Sequence, residues 1–154
     1  MRPHNLTALV ARAHDDGDWE HHLRDFLDAF YAADGDTARQ ATFIAEEPGR
    51  IGLPEADAFL GGVGEHLARR WGLPIPSWVR AGDRYLTKAL FVPDERALRS
   101  YLICVSPVAF RTRLIFTGPD PLQRARFPYH RGVITLPPEH PRGQGGTLPS
   151  GEAR

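Results

Sequence analysis

Residues 98–118, LRSYLICVSPVAFRTRLIFTG, place core-forming and charged side chains in one short stretch. Leu98, Tyr101, Leu102 and Val105 recur at the spacing of a single helical face. Ser106-Pro107 then reads as a restart, with the serine as cap and the proline in the first turn of a helix that carries Phe110 and Leu114 inward. Arg111 and Arg113 fall on the outside of that restart, followed by Arg124, Arg126 and Arg131. A segment of this double character has to lie between a core and a charged surface, so the rest of the chain is expected to pack against it. Spacing and charge here select an architecture without selecting an activity.

The preceding residues read as a series of helices. Leu6, Leu9, Val10 and Ala13 make a short first face that ends at His14-Asp15-Asp16-Gly17. Asp18 is a good N-cap, and behind it Trp19, Leu23, Phe26, Leu27, Phe30 and Tyr31 repeat at helical spacing. Burying six such side chains is worth roughly 10 kcal/mol before conformational entropy is charged, which assigns this helix to the main core. Asp34-Gly35-Asp36 stops it and caps a weaker helix carrying Ala38, Ala41, Phe43 and Ile44. Pro54 suits a first turn, and Ala56, Phe59, Leu60, Val63, Leu67 and Trp71 form a stripe that closes at Gly72. Gly61, Gly62 and Gly64 inside that helix cost about 1 kcal/mol each against alanine, so they are expected to permit close approach of another helix or to mark a kink.

Leu73-Pro74-Ile75-Pro76-Ser77-Trp78 reads as a stiff connector, and residues 83–93 are compatible with either a brief helix or an extended arm. Asp94 is placed to cap the helix that leads into the organising stretch. Asp120-Pro121-Leu122 is placed to start one more short helix. Beyond Val133 the chain is rich in proline and glycine and poor in apolar side chains. The expected fold is therefore all-α: one compact bundle of about five to seven helices over residues 1–132, with a disordered tail at 133–154.

Charge narrows the functional classes. Residues 1–66 contain thirteen acids and five bases, whereas residues 67–154 contain six acids and fourteen bases, so a net charge of zero hides two oppositely charged halves that should attract each other. Residues 96–131 hold seven arginines and one acid, Asp120, the one local excess that matters to an anionic partner. Eighteen of the nineteen basic residues are arginine, a bias expected of a GC-rich genome, which lowers the weight of any arginine cluster. No run approaches the ~20 apolar residues of a membrane span, and no export signal is legible at the N-terminus. With Cys104 as the only cysteine, a cytoplasmic protein is expected, with no membrane partner.

No catalytic set emerges from the residues. Asp18 with His22 and His21 with Asp25 are carboxylate–imidazole pairs four apart on an acidic helix, which read as solvated ion pairs rather than a metal site. Cys104, between Ile103 and Val105, is expected to be buried and inert. Ser77, Ser100 and Ser106 lack a Gly-x-Ser-x-Gly elbow, and the glycines at 61, 62 and 64 lack the strand and Gly-Lys-Ser/Thr sequence of a phosphate loop. Ala68, Gly72 and the apolar residues around them resemble the turn of a helix-turn-helix reader. Pro74, Pro76 and Gly82 leave too short a second helix for a major groove, so a plain helix end at Gly72 is preferred. No enzyme, metal or cofactor is expected.

Residues 57–126 resemble a small helical module of GC-rich bacteria, found alone or after a repressor-type helix-turn-helix domain and associated with toxin–antitoxin-like gene pairs. The likeness is carried by Glu65-His66-Leu67-Ala68, Trp71-Gly72-Leu73-Pro74-x-Pro-x-Trp78, Arg84-Tyr85-Leu86 and Ser106-Pro107-x-Ala109-Phe110-Arg111-x-Arg113-x-Ile115-Phe116. It is extended by the aromatic helix 19–31 and by Ala45-Glu46-Glu47-Pro48. The resemblance lends no catalytic residues and implies a protein-binding module that restrains a partner. The expected function is thus a non-enzymatic, antitoxin-like or regulatory interaction module. It would meet a protein encoded nearby through Arg111, Arg113, Arg124 and Arg126. The alternative is a nucleic-acid-binding accessory protein using the arginine-rich 96–131 segment.

Overall fold

The computed structural model describes residues 1–125. In chain order the elements are α1 (Leu6–Asp16), α2 (Trp19–Ala32), α3 (Thr37–Ala45), α4 (Pro54–Trp71), β1 (Leu90–Val92), α5 (Arg99–Val105), α6 (Val108–Arg111) and β2 (Ile115–Thr117). Single 3-10 turns at Ser77–Arg80, Gly82–Arg84 and Arg96–Leu98 join the later elements. The architecture is mostly helical, as expected, with six α-helices among the described residues. The expected tail at 133–154, the domain boundary at 132, Arg126 and Arg131 lie outside those residues.

Short polar side chains set the starts of the early helices by accepting the free amides of the first turn. The Ala8 amide donates to Asn5 Oδ1 at 2.7 Å, the His21 amide to Asp18 at 3.0 Å and the Arg39 amide to Asp36 at 3.0 Å. α4 begins with Pro54 in its first turn and Glu55 and Asp57 at the positive end of its dipole. It ends at Gly72, whose φ of 65° is the left-handed conformation glycine adopts without strain.

α4 is the axis of the molecule, buried on nearly every face. On one side α2, α3 and α4 contribute an aromatic cluster: the ring centroid of Phe30 lies 5.7 Å from Phe43 and 5.3 Å from Trp71, both edge-on. On the other side the glycines admit neighbours that no larger residue would. A Cβ at Gly61 would sit 2.9 Å from Arg84 Cβ, one at Gly62 2.7 Å from the Phe110 ring, and one at Gly64 2.8 Å from the Trp78 ring. The expectation of close approach holds, with side chains from the 3-10 turns and α6 doing the approaching.

The stretch 98–118 folds differently from its helical reading. α6 is a single turn without a side-chain cap, and the chain reverses through Leu114, whose φ of 61° leaves it 37% exposed rather than inward. β2 follows and pairs in parallel with β1, Phe91 opposite Phe116. Parallel neighbours require a crossover, and α5 and α6 supply it. Ser106, expected to cap a helix, instead holds this unit together: its Oγ accepts the Thr117 amide at 2.8 Å and donates to the Leu102 carbonyl. Two other caps also differ. Asp94 pairs with Arg99 at 2.9 Å, and Asp120-Pro121-Leu122 is a turn in which the Leu122 carbonyl accepts the Tyr31 hydroxyl at 2.6 Å. Residues 83–93 resolve to the end of a 3-10 turn, a bent segment and β1.

Candidate functional site

Of the arginines singled out in the sequence, the three described, Arg111, Arg113 and Arg124, do not all lie on the surface. Arg111 is exposed at the end of α6. Arg113 is fully buried, which overturns its expected place on the outside. Its Nη2 donates to the Val79 carbonyl at 2.6 Å, its Nη1 donates to the Ala109 carbonyl at 2.6 Å and to the Glu65 carboxylate, and its guanidinium lies 4.6 Å from the centre of the Tyr85 ring. A buried charge persists only when paired and hydrogen-bonded, and the absence of a side chain at Gly61, where a Cβ would lie 3.0 Å from Arg113 Nε, makes room for this arrangement. Burial pushes the Glu65 carboxyl up, but the hydrogen bonds from Arg113 and Arg69 outweigh it and hold the group below the usual carboxylate range.

Arg124 is partly exposed and makes a two-pronged contact with Asp28, Nε and Nη2 at 2.9 and 3.0 Å. That contact raises the pKa of the guanidinium. Arg84, not nominated from the sequence, is as buried as Arg113; it donates to the Pro48 carbonyl at 2.7 Å and lies 3.8 Å from Asp57. The opposite charges of the two halves therefore meet within the chain: Arg84 and Arg113 answer Asp57 and Glu65 in the interior, and Arg124 answers Asp28 at the surface. Sequence spacing puts a helical arginine on the surface by default, and only the glycines signal that α4 could accept one.

The helices before Arg111 also leave large apolar side chains exposed. α5 reaches the core mainly through Leu102, leaving Tyr101 53% and Ile103 44% exposed, and Val108 at the start of α6 is 43% exposed. Cys104 is exposed on the same helix, against its expected burial. The periodicity of residues 98–105 was that of a buried face, but a seven-residue helix resting on a two-stranded sheet has too little to pack against.

A second surface is concave. Two hollows of about 570 and 520 Å³ share Trp19, Glu20 and Glu55 and run as one cleft between the start of α2, the start of α4 and residues 86–92. Nothing in the sequence reading pointed to it, because its walls come from four separated segments.

The histidine pairs behave as isolated contacts. His21 Nε2 stands 3.6 Å from Asp25, while His22 turns away from Asp18 to meet Asp16 at 2.7 Å. Among the described residues no group of three or more His, Cys, Asp or Glu is placed to hold a metal ion. The segment after Gly72 that resembled a recognition helix is a four-residue 3-10 turn with Trp78 and Val79 buried, a geometry that offers no helix to a groove. No described helix is long and apolar enough to cross a membrane. No protein-family model, no curated protein and no solved structure matches this chain.

Proposed function

We propose that the protein is a non-enzymatic interaction module, antitoxin-like or regulatory, that binds a protein partner through the outer surface of α5 and α6. The observation that carries this reading is that Tyr101, Ile103 and Val108, all within the short α5–α6 crossover, are exposed, as is Arg111 at the end of α6. Large apolar side chains left in water within a few residues of one another favour association with another protein. Arg111 contributes from the rim. Arg113 contributes from within, by tying α6 to α4, and Arg124 ties the chain after β2 to α2. Two of the arginines a phosphate-binding surface would use already answer carboxylates, which favours a protein partner over nucleic acid.

The test is co-purification of the tagged protein from its own cells, with nuclease treatment and a high-salt wash. One stoichiometric protein that stays with the native chain and is lost with Tyr101→Ser plus Ile103→Ser, at unchanged thermal stability, supports the reading. Recovery of nucleic acid alone, of nothing, or of a complex indifferent to those substitutions overturns it.

A further inference from the structure

The two edges of the small sheet are not equivalent. The outer edge of β2 is covered, since α5 and α6 pack beside it and the Thr117 amide is taken by the Ser106 hydroxyl. In a parallel pair, alternate residues turn their amide and carbonyl toward the neighbouring strand. Leu90 faces β2, donating to the Leu114 carbonyl at 2.8 Å, so the amide and carbonyl of Phe91 face the other way. Among the described residues no strand lies on that side. A strand edge with no strand beside it is a template for another extended chain.

The same strand walls the cleft. Leu90 and Val92, on one face of β1, line the 520 Å³ hollow together with Leu23, Leu27 and Phe59. Leu86, just before the strand, lines the 570 Å³ hollow with Trp19 and Leu53. The waist shared by the two hollows carries two carboxylates, Glu20 in the first turn of α2 and Glu55 in the first turn of α4. The basic residues sit away from the waist: Lys88 lines only the first hollow and Arg24 only the second, where Arg124 is already held by Asp28. The cleft therefore has apolar side chains at both ends, each with a base of its own, and carboxylates in the middle.

We infer that this cleft binds an extended segment of a partner protein, which lies along the outer edge of β1 with aliphatic side chains in the two hollows and one lysine or arginine between them against Glu20 and Glu55. Side chains on one face of a strand recur every second residue, about 7 Å apart. The matching segment is thus aliphatic-x-basic-x-aliphatic. This site is separate from the α5–α6 surface, and either can fail without the other.

The probe is a fluorescein-labelled peptide, Ser-Val-Thr-Lys-Thr-Leu-Ser, titrated against the full chain and followed by anisotropy and amide exchange. The expected result is saturable binding that protects the Phe91 amide and weakens at least tenfold when the peptide lysine is replaced by glutamate. Glu20→Lys with Glu55→Lys reverses that preference, whereas Tyr101→Ser plus Ile103→Ser leaves it intact. Absence of saturable binding, equal affinity for the two peptides, or an unprotected Phe91 amide overturns the inference. So does displacement of residues beyond 125 from the cleft by the peptide, which would make the chain its own occupant. The peptide substitution keeps the test decisive if the double charge reversal fails to fold.

Discussion

The guanidinium of Arg113 donates to the carboxylate of Glu65, a residue 48 positions earlier, and does so with no exposure of its own. This contact joins the turn between α6 and β2 to the middle of α4. The second oxygen of Glu65 accepts from Arg69 at 2.9 Å, so one carboxylate answers an exposed and a buried cation at once. The α5–α6 unit is thereby fixed to the core through the turn that follows α6.

Removing the carboxylate leaves the Arg113 charge buried with only carbonyl partners. Glu65→Ala should destabilise the fold by about 3–5 kcal/mol, the cost of breaking a buried pair from one side. Urea denaturation measures it; a loss below about 1 kcal/mol would show that the pair behaves as an exposed one.

Gly62 should not tolerate a methyl group. A Cβ there would meet Cδ1 and Cε1 of Phe110 at 2.7 Å, so Gly62→Ala should cost about 1–3 kcal/mol even though alanine is the better helix former by about 1 kcal/mol. Phe110→Leu in the same chain should recover part of that cost, and a double-mutant cycle on thermal melts reads the coupling.

Acid should weaken the fold before the carboxylates titrate. Burial, aided by Arg70, pushes His66 down to about 4, against about 6.5 for an unfolded histidine. Below pH 6.5 the unfolded chain therefore gains a proton that the folded chain refuses. Stability falls as the pH drops from about 6.5 toward 4, by about 3 kcal/mol in total. His66→Asn should flatten that slope between pH 7 and 4.5 in urea titrations. The contribution of Glu65, whose pKa is lowered, begins to fade near the ordinary carboxylate value of 4.5 and is lost as the pH falls below it.

The parts legible in the sequence were those decided over a few residues. Asp18, Asp36, Pro54 and Gly72 mark helix ends because a cap or a left-handed glycine acts within one turn, and the 19–31 stripe marks a core helix because its period needs no partner to be visible. The stretch 98–118 was less legible. Its apolar residues satisfy a helical period, yet a parallel strand pair between residues 90–92 and 115–117 shortens both helices, and pairing across that distance leaves no local signature. The candidate site suffered in the same way. Arg111 was placed correctly on the surface, while Arg113, two residues on, points into a space left open by Gly61.

By itself, the sequence determined a mostly helical chain, its early helix ends and the opposition of an acidic first half to a basic second half, because propensity, capping and charge are properties of short segments. Tertiary structure alone decided which charges pair inside, where apolar side chains remain exposed and how four segments enclose a cleft. Those outcomes depend on which distant surfaces come within contact distance. Burial can turn the same arginine or leucine from a surface residue into part of the core.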